Sequence, residues 1–351
     1  MNKTLSVIVP AYNMEKYLDR CLSSLIVSEE QMGQLEVLVI NDGSKDLTSE
    51  TARRFEQGFP QTFRVIDKGN GHYGSCVNRG LSEAKGTFVK ILDADDSFNA
   101  EVLCDYLRFL YSEEVSQQAD LVISGYMEVS DKGPVGKSWK YSHIMGPFAL
   151  NQLSQEDAEK WFIHALCYRT RLLKDIHYKQ TEGIAYTDHE WSFLPLSVVK
   201  NCFSFDGLPY RYTIGREGQS VAPASQAKNL WMESDVITKM VRTFHSLRND
   251  DKTDRQALSF MEKVLHKDLL HLFQLYLVTY YGITPSLEPL TKLDLLLKDT
   301  LPDLYSSLGE YTTRIAGARF MPIKNWRESR NGLLAIQRIT YSIANAINSL
   351  R

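Results

Sequence analysis

Short runs of apolar, mainly β-branched residues recur through the first part of the chain, and polar or glycine-containing turns separate them. The runs cover residues 5–9, 35–40, 63–66, 88–92 and 121–124. Most are followed by apolar residues at helical spacing, as in Tyr17, Leu18, Cys21, Leu22 and Leu25. This alternation predicts an α/β fold with a Rossmann-like, mostly parallel sheet that is flanked by helices.

Turn residues set the expected ends of two of these helices. Ser44 is a suitable N-cap for a helix over residues 47–55. Gly86 is a natural stop for a helix over residues 74–84. In a sheet of this kind, ligands bind beyond the carboxyl ends of the strands, so we expect the functional residues there.

Beyond residue 222 the pattern changes to long apolar stripes at spacings of three and four. One stripe comprises Leu258, Met261, Leu265, Leu269, Leu272 and Tyr276, and another runs through residues 336–350. We therefore predict two domains, an α/β domain over residues 1–222 and an α-helical C-terminal add-on domain over residues 223–351.

Composition and charge exclude some classes of protein. With 40 Lys and Arg against 43 Asp and Glu, the net charge of −3 argues against a nucleic-acid-binding protein. The five cysteines show no C-x-x-C spacing. Cysteines without such spacing are typical of buried thiols in a reducing compartment. The first apolar run is short and ends at Pro10, unlike a signal peptide. We expect a cytoplasmic protein.

The last 38 residues are basic. They contain seven Lys and Arg residues, namely Arg314, Arg319, Lys324, Arg327, Arg330, Arg338 and Arg351, against the single acid Glu328. Peripheral contact with the inner face of the cell membrane is one interpretation. A helix packed on the first domain, with a solvated basic face, is another. A homodimer interface is a third.

Three strand ends carry candidate chemistry. The first ends in Pro10-Ala11-Tyr12-Asn13, without the G-x-G-x-x-G of dinucleotide-binding folds. The second ends in Asn41-Asp42-Gly43-Ser44, and the fourth in Leu92-Asp93-Ala94-Asp95-Asp96. Three carboxylates in four residues repel one another, so a cation is a simple explanation, and oxygen ligands favour Mg²⁺ or Mn²⁺. The alternative is a solvated turn in which Asp96 caps the next helix.

Together these strand ends resemble, in order and spacing, the bacterial family 2 glycosyltransferases, which have the GT-A fold. The resemblance covers residues 1 to about 220. It implies transfer of a hexose from a nucleotide-sugar donor, mostly with inversion at the anomeric carbon. Asp42 would accept a hydrogen bond from the base, Asp93 would lie by the ribose, and Asp95 would hold Mn²⁺ or Mg²⁺ on the diphosphate. The other donor-binding residues that the resemblance implies are Pro10, Ala11, Tyr12, Asn13, Asn78 and Ala94.

One position departs from the family pattern. The residue before Asn78 is often arginine in relatives and is Val77 here. A contact of that arginine with the diphosphate must be absent or come from another residue, for which the candidates are Lys68, His72 and Arg79. Downstream, Tyr210-Arg211-Tyr212 followed by residues 216–220, which begin with Arg216, resembles the end of the catalytic domain, where a basic loop often closes over the diphosphate.

Residues 183–191 resemble the family segment that holds the catalytic base. The usual first acid is Thr187 here, and Asp188 matches the base. Base and leaving group must lie on opposite faces of the sugar, so a segment other than residues 93–95 has to supply the base. Asp188 could instead only cap a helix. Glu190 is the reserve base, and His189 is a structural or acceptor-side candidate.

Four aromatic residues also have two possible roles, one in binding and one in packing. Stacking on a sugar and burial in the core are both open for Trp161, Tyr168, Tyr186 and Trp191. Residues 131–147, which include Trp139, form a predicted loop that could act as a lid over the donor.

The combined prediction is a glycosyltransferase with Asp188 as general base and a metal at the diphosphate. A UDP-sugar is the expected donor, and the expected acceptor is a hydroxyl of a glycan or of a lipid-linked or protein-linked glycoconjugate. Two other functions stay open. One is a non-catalytic nucleotide-sugar-binding module. The other is a sugar nucleotidyltransferase, which would need a glycine-rich basic loop that residues 10–13 lack.

Overall fold

The computed structural model describes residues 3–130, 133–141, 146–216, 223–281, 286–315 and 318–329. The chain divides into two compact units. One comprises residues 1–219 with residues 251–261, and the other comprises residues 220–250 with residues 262–351. The units are described separately below, and the predicted domain boundary after residue 222 stays a prediction.

A mixed sheet of nine strands forms the centre of the first unit among the described residues. Its strands are β1 (Leu5–Ala11), β2 (Leu35–Asn41), β3 (Phe63–Asp67), β4 (Phe88–Ile91), β5 (Ser97–Phe98), β6 (Leu121–Ser130), β7 (Gly133–Trp139), β8 (Leu166–Arg169) and β9 (Cys202–Thr213). They follow the order β3-β2-β1-β4-β8-β6-β9-β5, and β7 pairs with β6. The first four in this order are mutually parallel, whereas β8 is antiparallel to both of its neighbours.

Nine α-helices lie within the described part of residues 1–219. They are α1 (Leu18–Ser23), α2 (Glu29–Gln34), α3 (Thr48–Gly58), α4 (His72–Glu83), α5 (Ala100–Tyr111), α6 (Glu113–Gln118), α7 (Gln155–Glu159), α8 (Thr170–Asp175) and α9 (Asp188–Phe193). Every residue of β1 and β2 is buried, as expected for strands covered on both faces. Helix α4 packs so closely on β1 that a Cβ at Gly80 would lie 2.5 Å from the Ile8 side chain. The predicted α/β fold class is confirmed.

Three local expectations about this unit are wrong. Helix α3 begins at Thr48, and the Ser44 hydroxyl instead accepts a hydrogen bond from the Asn13 backbone, so Ser44 is not its N-cap. Asp96 does not cap α5, because its carboxylate is buried against β9. The loop predicted over residues 131–147 is in part strand β7, since residues 133–139 pair with β6, whereas residues 131–132 and 142–145 lie outside the described residues.

The second unit is largely helical. Its described part contains α10 (Pro223–Arg248), most of α11 (Arg255–Gln274), α12 (Glu288–Thr300), α13 (Pro302–Gly309), α14 (Pro322–Ser329) and a hairpin of β10 (Thr313–Ile315) with β11 (Ala318–Phe320). The predicted stripe from Leu258 to Tyr276 is buried along α11 and the π-helical turn after it, as its spacing requires. The helix predicted over residues 336–350 lies outside the described residues.

One member of the basic C-terminal group has an internal role. The Arg327 guanidinium donates to Asp294 Oδ1 at 2.6 Å and to Asp294 Oδ2 at 3.2 Å, and lies 3.5 Å from the centre of the Tyr305 ring. Its side chain is only 11% exposed. Arg327 therefore does not contribute to a solvated basic face. None of the helices in the described part of the chain has the length and apolar character needed to span a lipid bilayer.

Candidate active site

The carboxyl ends of β1 and β2 meet at one edge of the sheet. Asn13, just beyond β1, has a φ of +54° and accepts a hydrogen bond from the Lys45 backbone through its side chain. Tyr12 is 44% exposed, whereas Ala11 is buried. The loop after β1 is thus tied to the loop after β2, and Tyr12 is left with an accessible ring.

Asp42, at the end of β2, is buried and held by two donors. Its Oδ1 atom accepts hydrogen bonds from Lys68 Nζ at 2.6 Å and from the Gly71 backbone at 2.9 Å. Lys68 also donates to the Gly69 carbonyl and to the Ser75 hydroxyl. Lys68, which was predicted to contact the diphosphate, therefore lies beside Asp42, which was predicted to bind the nucleotide base.

The loop after β4 leaves Asp93 half-buried and Asp96 buried, and gives the two carboxylates different partners. The Tyr73 hydroxyl donates to Asp93 Oδ1 at 2.8 Å. Asp96 accepts from the Tyr210 hydroxyl at 2.6 Å and from the Thr213 backbone at 2.7 Å. Both oxygens of Asp96 are therefore used to hold the end of β9 in place.

Burial and like charge act together on these carboxyl groups. Burial, followed by repulsion from Asp95 and Asp188, raises the pKa of Asp93 to about 7. The hydrogen bond from Tyr73 acts in the opposite direction. Burial is also the main cause that raises the pKa of Asp96, and the charge of Asp95 adds to it. The fold thus holds acids from two distant segments close to one another.

Asp95 lies between two arginines. Its Oδ2 atom accepts a hydrogen bond from Arg216 Nε, and its backbone carbonyl accepts one from Arg20 at 2.7 Å. The Arg216 guanidinium also lies 5.1 Å from the centre of the Tyr17 ring. The structure therefore brings the predicted metal ligand and the predicted basic residue of the closing loop into direct contact.

Asp188 is the first residue of α9, after Thr187 at the N-cap position, so it is not the cap of that helix. Its charge contributes to the raised pKa values of Asp93 and Tyr73, so the carboxylate acts electrostatically on Asp93 in the loop after β4. Glu190 is fully buried, and its two oxygens accept hydrogen bonds from the Thr181 backbone at 2.6 Å and hydroxyl at 2.7 Å. Glu190 is therefore a structural residue and an unsuitable reserve base.

Several other predicted residues are engaged elsewhere. Asn78 exchanges hydrogen bonds with the Gln180 backbone, and Arg79 pairs with Glu83 on the outer face of α4. His72 is exposed and His189 half-buried. Stacking on a sugar is excluded for three aromatics, since Trp161, Tyr168 and Trp191 are completely buried.

Sequence reasoning missed a buried group behind this edge of the sheet. Lys90 is fully buried on β4, where it donates to the His164 carbonyl at 2.6 Å and the Leu166 carbonyl at 3.2 Å. Burial lowers its pKa to about 8. The available signal was a lone lysine inside the apolar run of residues 88–92.

His164 was missed as well. Its ring stacks on Tyr126 and meets the edges of Tyr210 and Tyr212, and both of its buried nitrogens lack a hydrogen-bond partner. Burial, with a smaller contribution from Lys90, lowers its pKa to about 3. No local pattern in the sequence pointed to this environment.

A mixed sheet of this order, with acidic residues gathered at the carboxyl ends of its parallel strands, defines a glycosyltransferase with the GT-A fold. The family model for glycosyl transferase family 2 matches residues 6–172. The uncharacterized glycosyltransferase MG060 of Mycoplasma genitalium is 30% identical over 247 residues, which cover 68% of this chain and 78% of that protein. The chain belongs to glycosyl transferase family 2.

A further protein, TarS, is similar to it both in sequence and in structure. Poly(ribitol-phosphate) beta-N-acetylglucosaminyltransferase TarS of Staphylococcus aureus is 34% identical over 224 residues, 62% of this chain and 37% of TarS. The crystal structure of TarS 1–349 in complex with UDP-GlcNAc superimposes with a TM-score of 0.59 at 20% identity, covering 91% of this chain and 96% of that one.

The mannosyltransferase PcManGT of Pyrobaculum calidifontis, in complex with GDP-Man and Mn²⁺, superimposes with a TM-score of 0.50 at 15% identity and covers 100% of this chain and 88% of PcManGT. These structural likenesses concern the fold. The chain spans 19% to 53% of the length of the first curated relatives that it matches.

Proposed function

We propose that this chain is an inverting, metal-dependent glycosyltransferase that moves a hexose from a UDP-sugar to a hydroxyl of a glycan or glycoconjugate. The observation that carries the proposal is the electrostatic effect of Asp188 on Asp93, from segments about 95 positions apart in the chain. One segment ends a parallel strand, where a donor diphosphate binds in such sheets, and the other can supply a base.

The choice of donor nucleotide rests on Asp42, the residue assigned to bind the nucleotide base. Lys68 and the Gly71 backbone hold Asp42 Oδ1, so the carboxylate is oriented to accept an N–H from the base. Uracil offers such an N–H, whereas cytosine presents an acceptor at the corresponding ring nitrogen. The UDP-GlcNAc complex of the similar protein TarS supports this choice.

The metal is assigned to Asp95 and the donor phosphates. No cluster of three or more His, Cys, Asp or Glu side chains in the described ranges is arranged to hold a metal ion alone. A hard cation held by one carboxylate and substrate phosphate oxygens needs no such cluster. The repulsion that Asp95 and Asp188 exert on Asp93 suits a bound cation. When bound, the ion would stabilise the negative charge of the leaving diphosphate as a Lewis acid.

Asp188 is assigned the proton transfer. The acceptor hydroxyl has to lose its proton as its oxygen attacks the anomeric carbon, and a carboxylate within hydrogen-bond reach can accept it. Glu190 cannot share this role because Thr181 engages both of its oxygens. Arg216, released from Asp95, is assigned to the diphosphate, where its planar guanidinium would bind phosphate oxygens.

The remaining assignments concern the wider protein. We assign the transfer reaction to residues 1–222 and treat residues 223–351 as an add-on that docks an acceptor, a membrane surface or a second copy. A surface polysaccharide is the proposed product class, in line with the poly(ribitol-phosphate) named for TarS. Peripheral attachment to the inner face of the membrane stays a prediction.

Thermal shift with UDP-, GDP- and dTDP-sugars, each with and without Mn²⁺, tests the donor and the metal together. We expect stabilisation by UDP-sugars that depends on Mn²⁺. Release of UDP from the donor, lost in Asp95→Asn, would separate a transferase from a binding module. A protein that neither UDP nor Mn²⁺ stabilises would refute both assignments.

A further inference from the structure

Helix α4 begins between the loop after β4 and the segment that leads to α9. His72, its first residue, has a φ of +65°, and the chain turns there so that Tyr73 points inward. The Tyr73 hydroxyl donates to Asp93 Oδ1 at 2.8 Å. The charges of Asp93 and Asp188 both act on this hydroxyl and raise its pKa, after the larger effect of burial. The hydroxyl therefore lies near both carboxylates.

The same helix also fixes residues 180–183. A Cβ at Gly74 would lie 2.0 Å from the Thr181 carbonyl oxygen, so the backbone of this segment packs directly on the helix. Asn78 accepts from the Gln180 backbone N–H at 2.8 Å and donates to the Gln180 carbonyl at 2.9 Å. The Gly183 N–H donates to the Gly71 carbonyl at 2.9 Å. One face of α4 thus anchors both ends of a four-residue segment.

That segment is joined to α9 in turn. Thr181 donates through its backbone and its hydroxyl to the two oxygens of Glu190, which lies two positions after Asp188 on the helix. A continuous set of hydrogen bonds therefore leads from Asp93 through α4 to the helix that carries Asp188. Tyr73 is the side chain by which α4 contacts Asp93.

We propose that Tyr73 is a positioning residue for donor binding, which fixes the carboxylate of Asp93 for the ribose in the same rigid frame that holds Asp188. The inference rests on the proposed function, and it takes from the family resemblance that Asp93 is the ribose contact. An unrestrained aspartate can rotate about two side-chain bonds, and ordering it on binding lowers affinity. The hydrogen bond from the half-buried Tyr73 to Asp93 Oδ1 removes that freedom before the donor arrives.

The test is a double-mutant cycle on the affinity for UDP in the presence of Mg²⁺, which is diamagnetic, measured by ligand-observed NMR, which covers millimolar affinities. Tyr73→Phe keeps the ring and removes only the hydroxyl. We expect it to weaken UDP binding about fivefold in the wild-type background. In the Asp93→Ala background we expect no further weakening, because the carboxylate that Tyr73 orients is gone.

Tyr280→Phe is the matched control, because the Tyr280 hydroxyl also donates to a side-chain oxygen, Gln226 Oε1 at 2.9 Å, and both residues belong to the second unit. It should leave the UDP affinity unchanged. Equal affinities of wild type and Tyr73→Phe would overturn the inference, as would the same loss in both backgrounds, which indicates a general structural effect. Failure of the wild-type protein to bind UDP would overturn the proposed function itself, and the inference with it.

Discussion

Arg216 Nε donates a hydrogen bond to Asp95 Oδ2, although the two residues lie 121 positions apart in the chain. The contact is a consequence of how β9 ends. Thr213, the last residue of β9, donates its backbone N–H to Asp96, which fixes the chain next to the loop after β4. Arg216 follows three positions later and packs on the Tyr17 ring. The carboxylate assigned to the metal thus already has a cationic partner.

Arg216→Ala should change two affinities in opposite directions. Without the guanidinium, Asp95 is free to bind a cation, so the affinity for Mn²⁺ alone should rise several-fold, roughly threefold to tenfold. The affinity for UDP with Mn²⁺ should fall by about tenfold, because a charge-assisted contact to the diphosphate is lost. Isothermal titration calorimetry measures both.

Arg211→Ala is the control for that variant, because it removes the same charge from an exposed position on β9. It should change neither affinity by more than about twofold. If Arg216→Ala lowered both affinities, the result would contradict the assignment of Arg216 as a cation that competes with Mn²⁺ for Asp95.

Asp188→Asn should separate binding from turnover. An amide of the same size cannot accept the acceptor proton, so the rate of transfer should fall by about 10²- to 10⁴-fold. The affinity for UDP should stay within about twofold, because Asp188 is assigned to the acceptor side. Transfer assays with a UDP-sugar and calorimetry with UDP measure the two quantities.

Glu190→Gln provides the comparison within the same helix. It weakens the two hydrogen bonds from Thr181 and should lower the free energy of unfolding by about 1–3 kcal/mol. Residual transfer should exceed that of Asp188→Asn. If Glu190→Gln were the inactive variant and Asp188→Asn the active one, the base would be misassigned.

His164 should make the protein sensitive to acid. Its pKa is about 3 in the folded protein and about 6.5 in an unfolded chain. Because the folded pKa is depressed, its stabilising contribution is fully present above about pH 6.5 and is lost as the pH falls towards 3. At pH 5 the loss amounts to about 2 kcal/mol of the free energy of unfolding.

His164→Phe removes the titrating ring and costs no hydrogen bond, since neither nitrogen has a hydrogen-bond partner and Nε2 lies 4.0 Å from Asp96 Oδ2. Urea unfolding of this variant at pH 7 and pH 5 should show about 2 kcal/mol less destabilisation by acid than the wild type shows. If the free energy of unfolding fell by the same amount between pH 7 and pH 5 in both proteins, the result would contradict the depressed pKa of His164.

Arg327 and Asp294 should matter for the stability of the helical unit. Both side chains are about nine-tenths buried, so Arg327→Met leaves the Asp294 carboxylate buried without its partner. We expect a loss of about 3–5 kcal/mol in the free energy of unfolding, measured by urea. In Arg327→Met with Asp294→Leu most of that loss should be recovered.

Lys324→Ala is the matched control on α14, because Lys324 forms an exposed contact of 4.0 Å with Glu328. Its removal should change the free energy of unfolding by less than about 1 kcal/mol. A comparable effect of Lys324→Ala and Arg327→Met would show that burial of the Arg327 pair contributes nothing.

The strands and the acidic strand ends could be predicted because both are local properties of the sequence. Apolar runs of four to six residues predicted β1 to β4 to within a few positions, and the chain places Asp93 and Asp95 directly after β4 whatever the rest of the fold does. The resemblance to family 2 rested on the same local segments. The starts of helices were harder to predict, because the Ser44 hydroxyl accepts a hydrogen bond from the Asn13 backbone and not from its own turn.

Which side chains meet was decided by the tertiary structure. The partners of Asp93, Glu190 and Asp95 lie 20, 9 and 121 positions away, and Lys90 reaches carbonyls 74 and 76 positions away. These pairings depend on the insertion of β8 beside β4 and on the return of β9 to the loop after β4. The sequence alone determined the type and local order of the acidic residues. The roles of Tyr73, Glu190 and Arg216 depend on distances in space, which only the assembled sheet sets.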